Sequence, residues 1–192
     1  MTAAHAGFVP REWVRATSIP SASRRRLALA ALALLLACAG ASAREAAAAG
    51  GGVDIGGEHV KAAHLALADL AKLPHVSVRA SAHGVEGDWS GVPLIELLKS
   101  AGAPSGETLR GPAMALYVRV TASDGYRAVF ALAGIDSSIG GETVILADGR
   151  NGQPLDDKEG PLRIIAPGDR RPARWVRQVI AIDLLRAPDS KS

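Results

Sequence analysis

From residue 53 onward, apolar residues recur mainly at every second position, the period of a half-buried β-strand. Val76, Val78 and Ala80 alternate with polar residues and predict a strand over Val76–Ala80. Gly56-Gly57 and Ser123-Asp124-Gly125 are typical of turns between paired strands. The same pattern predicts the remaining strands: Val53–Ile55, Glu58–Val60, Ala115–Thr121, Tyr126–Ala131, Thr143–Ala147, Leu162–Ala166 and Arg174–Leu184.

Two stretches have helical spacing instead. Leucines predict a short helix over Ala66–Lys72, and a second, amphipathic helix is expected over Val92–Leu98. Ser90 is the expected N-cap of the second helix, with Pro93 in its first turn, after a polar loop over His83–Trp89. Strands outnumber helices and connections are short, so the pattern favours an α+β fold, a strand-rich mixed sheet domain with a few short helices.

The first 43 residues differ from the rest. Arg24, Arg25 and Arg26 precede the apolar run Leu27–Ala43, which ends in Ala41-Ser42-Ala43. A basic start, an apolar run and a small-residue exit predict a cleaved signal peptide, and therefore a periplasmic or secreted protein. The predicted organisation is residues 1–43 signal peptide, 44–52 flexible tether, 53–186 folded domain and 187–192 tail.

Three features of this leader allow other outcomes. Ser23–Leu27 is compatible with a twin-arginine signal, which would export the protein after folding. Leu35–Cys38 approximates a lipobox, which would make Cys38 the lipidated first residue of a lipoprotein. A membrane is expected as a partner only if Cys38 is lipidated or the leader is retained as an anchor.

Removal of the leader changes the charge. The whole chain has 22 basic and 19 acidic residues, whereas residues 44–192 have 17 and 18, a net charge of −1. A near-neutral domain with few aromatic residues disfavours nucleic-acid binding. The single cysteine, Cys38, lies in the leader, so the mature domain has neither a disulfide nor a thiolate metal ligand.

Arginines cluster in the segment Glu159–Arg177. Four of them, Arg170, Arg171, Arg174 and Arg177, lie within eight residues beside a tryptophan. Guanidinium groups bind phosphate or carboxylate bidentately, so this cluster predicts a site for an anionic small molecule. The competing interpretation is that the arginines only keep a strand edge soluble. The sequence lacks a G-x-S-x-G nucleophile motif and paired histidines, and we predict no catalytic or metal-ligating residue.

Five separated landmarks occur in an order that resembles the molybdopterin-binding domain of the sulfite oxidase family. They are LADLAKLP (67–74), WSGVPLIELLKSAG (89–102), TASDGYRAVFAL (121–132), LADGRNGQPL (146–155) and EGPLRIIAPG (159–168) with RPARWVRQV (171–179). The resemblance implies a strand-rich fold that wraps a pterin whose dithiolene holds molybdenum. It also implies oxygen-atom transfer to or from small substrates in the full-size enzymes.

The resemblance also names candidate binding residues. A basic pair spaced like Arg171 and Arg174 helps to anchor the cofactor phosphate in the family, so these two are predicted contacts, with Arg170 and His83 as further candidates. Trp175 would pack beneath them.

One departure limits the implied chemistry. Family members ligate molybdenum through a cysteine in the loop that here reads Ser81-Ala82-His83-Gly84. We therefore expect an exported protein that binds an anionic ligand or molybdopterin without independent molybdenum redox chemistry. The alternatives are a molybdenum-dependent oxidoreductase that uses a non-cysteine ligand or a redox partner subunit, and a cofactor-free periplasmic interaction module.

Overall fold

The computed structural model describes residues 51–82 and 84–188. The predicted signal peptide, nearly all of the tether and His83 lie outside these residues. The described residues form ten strands and three short α-helices. The strands are β1 (Gly52–Gly57), β2 (Ala63–Ala66), β3 (Val76–Ala82), β4 (Val85–Pro93), β5 (Leu116–Ala122), β6 (Arg127–Ala131), β7 (Ile145–Arg150), β8 (Gln153–Pro154), β9 (Arg163–Ile165) and β10 (Val179–Arg186).

The helices are short. They are α1 (Leu67–Leu70), α2 (Leu94–Ser100) and α3 (Leu132–Ile135), and 3-10 turns lie at Gly106–Thr108, Gly111–Ala115 and Pro172–Arg174. Within the described ranges, no helix is long and apolar enough to cross a membrane.

The strands form two sheets. The first has the order β2-β1-β10-β5-β6, and the second has the order β3-β4-β7-β8, with β9 also paired to β7. The β1–β10 pair is parallel, whereas the other pairs are antiparallel. One hydrophobic core includes buried side chains from both sheets, among them Val118 and Phe130 from the first and Trp89 and Ile164 from the second. The α+β fold with mixed sheets and few short helices is as predicted.

Several predicted elements are confirmed. Strand β3 contains the predicted Val76–Ala80, and α1 lies inside the predicted Ala66–Lys72. β5 and β6 form the predicted hairpin, with Val118 opposite Phe130. Alternation of inward apolar and outward polar residues, together with a turn at Asp124-Gly125, is enough to specify a hairpin locally.

The predicted turn at Gly56-Gly57 is wrong. Both glycines lie in β1, which continues to Gly57 and pairs with β2 and β10, and Glu58–Val60 is not a strand. A Cβ on Gly57 would lie 2.0 Å from the carbonyl oxygen of Leu184, and its φ is +106°. Glycine is therefore needed there for close approach to β10, a strand far away in the sequence.

The predicted polar loop before α2 is also wrong. The residues of His83–Trp89 that follow Gly84 belong to β4, so Ser90 lies in a strand and does not cap the helix, which begins after Pro93. Charged residues flank the buried positions of β4, where Trp89 is 0% exposed and packs against Trp175, Arg150 and Arg163.

The last predicted strand begins later than expected. Its proposed first residues, from Arg174 to Gln178, precede β10, which starts at Val179. Pro172 has a fixed φ and opens a 3-10 turn, and Gln178 has a left-handed φ of +49° that interrupts an extended strand. The four clustered arginines, Arg170, Arg171, Arg174 and Arg177, thus lie in a turn and a loop rather than on a strand edge.

Candidate anion site

A cavity of about 500 Å³ lies where the β5–β6 turn, the loop before β9 and the segment 172–178 meet. Its volume is within the range of about 300–1,000 Å³ that is typical of small-molecule sites. Its lining combines aromatic rings, Tyr126 and Trp175, with three basic side chains, Lys158, Arg163 and Arg177. The cavity therefore offers flat apolar surface and positive charge to the same ligand.

Arg163, on β9, is the central basic group of this cavity. The residue is only 3% exposed, and its Nη1 donates to the Glu159 carboxylate. Its Nε has no hydrogen-bond partner. Buried charged donors are normally satisfied, so an unpartnered N–H on a buried guanidinium indicates a missing acceptor.

Two tryptophans hold the Arg163 guanidinium in place. Its Cζ lies 5.1 Å from the centre of the Trp89 ring and 5.9 Å from that of Trp175, and the two rings are edge to face, 6.3 Å apart. The indole N–H groups donate to the carbonyl oxygens of Ala80 and Ala166, which fixes both rings. The resulting cation–π contacts partly replace the water that burial removes.

Positive charge exceeds negative charge around Glu159. The guanidinium of Arg150 lies over Trp89, 4.8 Å from the centre of the ring. Its Nη1 is 3.9 Å from the Glu159 carboxylate, and its Nε is buried without a hydrogen-bond partner. Burial lowers the pKa of Arg163; Glu159 opposes this, and the like charges of Arg177 and Arg150 add to it. Two guanidinium groups, those of Arg150 and Arg163, thus share one carboxylate, and Arg177 adds a third positive charge nearby, which favours an additional anion.

Hydrogen bonds from backbone N–H groups fix the loop that carries Glu159. The N–H groups of Lys158 and Glu159 donate to Asp156 Oδ1 at 3.0 and 2.9 Å. Gln178 joins this loop to the opposite wall of the cavity through two hydrogen bonds. Its Nε2 donates to the Asp157 carbonyl oxygen at 2.8 Å, and its backbone N–H donates to the Glu159 carbonyl oxygen at 3.1 Å. The left-handed φ of Gln178 is an uncommon conformation for a side chain of this type, and such residues cluster at functional sites.

The predicted contacts Arg170, Arg171 and Arg174 lie near this cavity but do not line it. Of the described residues in that segment, Pro172, Ala173 and those from Trp175 to Gln178 form its wall. Arg170 and Arg171 are exposed. The predicted Trp175 does pack beneath an arginine, but that arginine is Arg163, from a different strand.

Arg174 has carboxylate partners within the chain. Its Nε and Nη2 donate to the two oxygens of Asp169, the first at 3.1 Å, and Nη2 also pairs with Glu142. The guanidinium lies 4.5 Å from the centre of the Phe130 ring. The hydrogen bonds that Arg174 donates to Asp169, followed by the one it donates to Glu142, raise the pKa of Arg174. Its charge is therefore compensated before any ligand arrives.

The segment predicted to replace the metal-binding loop is separate from the cavity. Ser81 and Gly84 are exposed, Ala82 is buried, and none of the three lines the cavity. His83, the fourth predicted contact, lies outside the described residues. Within the described ranges, no group of three or more His, Cys, Asp or Glu side chains is placed to hold a metal ion.

The sequence analysis missed Arg163, Arg150 and Glu159 as site residues. Arg163 lies inside the apolar run Leu162–Ala166, which by itself predicts only a buried strand. A single arginine in such a run is nevertheless informative, since a fully buried arginine needs a partner. That signal identifies a buried charge but not its neighbours, which come from β4, β7 and the loop before β9.

Comparison with known proteins agrees with the fold. The model of a family described as "Oxidoreductase molybdopterin binding domain" matches residues 41–191. Among solved structures, the sulfane dehydrogenase SoxCD from Paracoccus pantotrophus is similar, with a TM-score of 0.56 and 19% sequence identity over 70% of this chain. The aligned region is 38% of the length of that chain. Among curated proteins, none is significantly similar in sequence.

Proposed function

Since this chain belongs to the oxidoreductase molybdopterin binding domain family, we propose that its cavity binds a pterin through the anionic, phosphate-bearing end. In this proposal Arg163 is the principal contact, and Arg177 and Lys158 complete the basic wall. The domain binds the ligand without molybdenum redox chemistry of its own.

The excess of positive charge in and beside the cavity, with the buried Arg163 sharing the Glu159 carboxylate with Arg150, is the observation that carries this proposal. A phosphate monoester has three terminal oxygens and about −1.5 to −2 charges at neutral pH, and guanidinium groups bind such oxygens in pairs. The ring of Tyr126, which is 51% exposed, supplies flat surface on which a pterin can stack, while the buried Trp175 packs against Arg163. Both ends of the ligand therefore have complementary groups in one cavity.

The residues fit the phosphate and the ring of molybdopterin better than they fit a metal bound to the protein. No cysteine occurs between residues 41 and 191, the span that matches the family model, because Cys38 precedes it. Molybdopterin brings its own dithiolene sulfurs as metal ligands when it is bound. We assign no metal ligand to this chain and derive no redox step through the cofactor.

The arginines predicted from sequence take secondary roles in this proposal. Arg170 and Arg171 are exposed beside the cavity and contact the outer part of the ligand, and His83 stays a candidate contact. Arg174 is a positioning residue, since its pairs with Asp169 and Glu142 fix the turn that presents Ala173 and Trp175 to the cavity.

The binding proposal is tested with Arg163→Met and a pterin carrying a phosphate monoester, by isothermal titration calorimetry. Loss of a buried charge-assisted contact is expected to weaken binding about 100-fold, equivalent to about 2.7 kcal/mol. Arg79→Met is the matched control, because it removes the same charge from an exposed pair with Glu86. Equal affinities in wild type and Arg163→Met would place the ligand elsewhere.

The family membership favours a second candidate, a molybdenum-dependent oxidoreductase that uses a non-cysteine ligand or a partner subunit. Molybdenum and pterin are to be measured in protein purified from a host that makes the cofactor. We expect well under one molybdenum per chain. A stoichiometric metal content that survives gel filtration would favour the enzyme over the binding domain.

Export is the remaining part of the proposal, and it is carried by the leader-like residues 1–43. We expect the mature protein in the periplasm or the medium, with an N-terminus near residue 44. N-terminal sequencing of protein from fractionated cells distinguishes this outcome from lipidation at Cys38 and from a retained leader.

A further inference from the structure

Gln178 lies where the three segments that form the cavity meet. It belongs to the segment 172–178, and its side chain bridges the other two: Ser123 Oγ donates to its Oε1 at 3.0 Å, and its Nε2 donates to the Asp157 carbonyl oxygen at 2.8 Å. Its backbone N–H donates to the Glu159 carbonyl oxygen at 3.1 Å, and its own carbonyl oxygen accepts from the Ser123 N–H at 3.0 Å. All four polar atoms of Gln178 thus join one wall of the cavity to another.

The backbone of Gln178 has an unfavourable conformation at this position. Its φ of +49° lies in the left-handed region, which glycine adopts freely and a long side chain adopts rarely. Asparagine and aspartate visit this region because their short polar side chains can bond to the nearby backbone, which glutamine does less readily. The bridge made by the Gln178 side chain offsets this cost, and such a residue beside a cavity indicates a functional role.

We propose that Gln178 is a positioning residue that holds Lys158 and Arg177 on two walls of the cavity around one bound anion. This inference rests on the proposed function, because it concerns the same cavity. Arg177 directly precedes Gln178, and Lys158 lies between Asp157 and Glu159, the two residues whose carbonyl oxygens accept from Gln178. Both basic side chains are exposed and line the cavity.

The two basic groups need such a bridge because like charges repel each other. Without a bound anion, nothing in their own interaction keeps Lys158 and Arg177 on facing walls. A loop that has to be ordered when the ligand binds lowers the affinity, whereas a loop that is already fixed does not. Gln178 therefore contributes to binding through the placement of Lys158, although it is not itself a ligand contact.

The test measures binding of a pterin phosphate monoester by isothermal titration calorimetry in wild type and Gln178→Gly. Glycine accepts the left-handed φ and keeps both backbone hydrogen bonds, so only the side-chain bridge is lost. Affinity should fall about tenfold because the loop is no longer pre-organised. The melting temperature should change by less than about 3 °C, because relief of the backbone offsets the loss of exposed hydrogen bonds.

His59→Gly is the matched control. His59 also has a left-handed φ, of +58°, and its Nε2 lies 3.0 Å from Nη2 of Arg186, at the far end of β10 from Gln178. It is not among the residues that line the cavity. His59→Gly should keep the wild-type affinity, and a loss equal to that in Gln178→Gly would overturn the inference.

A double-mutant cycle with Lys158→Met separates positioning from a general structural role. In wild type, Lys158→Met should weaken binding about tenfold, whereas in Gln178→Gly it should weaken binding only about twofold, because Lys158 is no longer held at the anion. The double variant should therefore lose about 20-fold rather than the roughly 100-fold of independent effects. A general loosening of the fold would leave the effect of Lys158→Met unchanged.

The outcomes separate the two proposals. If wild type does not bind the probe, the proposed function fails, and this inference with it. If wild type binds and Gln178→Gly binds equally well, or if the two effects are independent, this inference alone is wrong. Should Gln178→Gly not fold, Gln178→Asn replaces it, since asparagine tolerates a left-handed φ but is one methylene too short to bridge Ser123 and Asp157. Wild-type affinity in that variant would overturn the inference.

Discussion

Arg163, on β9, and Arg174, at the end of the 3-10 turn Pro172–Arg174, show two ways of accommodating a guanidinium. Arg174 pairs with two carboxylates, Asp169 and Glu142, and is partly exposed. Arg163 is nearly fully buried, shares one carboxylate with Arg150, and retains an unpartnered N–H. The first arginine is satisfied by the protein, whereas the second has binding capacity left for a ligand.

This difference shows that a cluster of arginines in the sequence does not by itself locate an anion site. The deciding quantity is how many acceptors the fold supplies to each guanidinium. Arg174 belongs to the most arginine-rich segment of the chain, yet its role is best explained as structural. Arg163 lies seven residues before Arg170, inside an apolar strand, and lines the cavity.

The largest expected effect is on stability and breaks the comparison directly. Arg174→Met should lower the free energy of unfolding by about 2–3 kcal/mol, because it leaves Asp169, whose side chain is 13% exposed, and Glu142 without a cation. Arg163→Met should lower it by less, about 1–2 kcal/mol, because methionine packs between the two tryptophans and Arg150 remains 3.9 Å from the Glu159 carboxylate. Urea denaturation measures both values. Equal losses in the two variants would remove the distinction.

Asp136 extends the comparison of the two arginines to a buried carboxylate whose hydrogen-bond partners are neutral groups. It is 3% exposed and accepts from the backbone N–H groups of Gly106 and Ser138, both at 2.9 Å, and from the Ser138 hydroxyl. The hydroxyl first, and then Gly106, lower the pKa of Asp136. A lowered pKa stabilises the fold above the unfolded value of about 3.9, and this contribution is lost as the pH falls through the folded pKa.

Asp136→Asn should therefore cost about 1–2 kcal/mol at pH 7, and the difference from wild type should shrink as the pH falls below about 4. Urea denaturation at a series of pH values measures it. A difference that stays constant down to pH 3 would mean that the charge of Asp136 contributes nothing.

The smallest expected effect concerns a partly exposed pair away from the cavity. His75 Nε2 lies 2.9 Å from Asp148 Oδ2, and Nδ1 lies 2.8 Å from the Leu73 carbonyl oxygen. The hydrogen bond to Asp148 raises the pKa of His75. Its stabilisation is therefore complete below the unfolded value of about 6.5 and is lost as the pH rises through the folded pKa.

His75→Gln should cost less than about 1 kcal/mol, since solvent screens this pair. The difference in melting temperature from wild type should be larger at pH 6 than at pH 9. A gap that widens toward alkaline pH would reverse the assigned sign and show that the neutral imidazole is the stabilising form.

Local patterns predicted local structure. The β5–β6 hairpin and strand β3 follow from alternation and turn residues, which act within a few positions. The Gly56-Gly57 pair was wrongly predicted to form a turn, because β1 extends through both glycines by pairing with β10. Periodicity cannot reveal a partner so distant in the sequence. Strand β4 was also misread, because its charged residues are typical of a loop. Its pairing with β3 and β7 and the burial of Trp89 depend on other parts of the chain.

The sequence indicated part of the cavity wall but not the residues at its centre. The arginine-rich segment contains the wall residues Ala173, Trp175 and Arg177. It could not indicate that Asp169 and Glu142 compensate Arg174, because Glu142 lies in another part of the chain. Nor could this segment indicate that Arg150 and Trp89 contact Arg163, since those contacts depend on the pairing of β4 with β7.

The central place of β10 in the first sheet has a consequence for folding. This strand is the last of the described strands to be synthesised, yet it joins β1 on one side to β5 on the other. Until it emerges, β1 and β5 each have an unpaired edge, and closing the sheet requires contacts between distant parts of the chain. We therefore expect slow folding that is completed only after β10 has been synthesised, with apolar strands open to aggregation in the meantime.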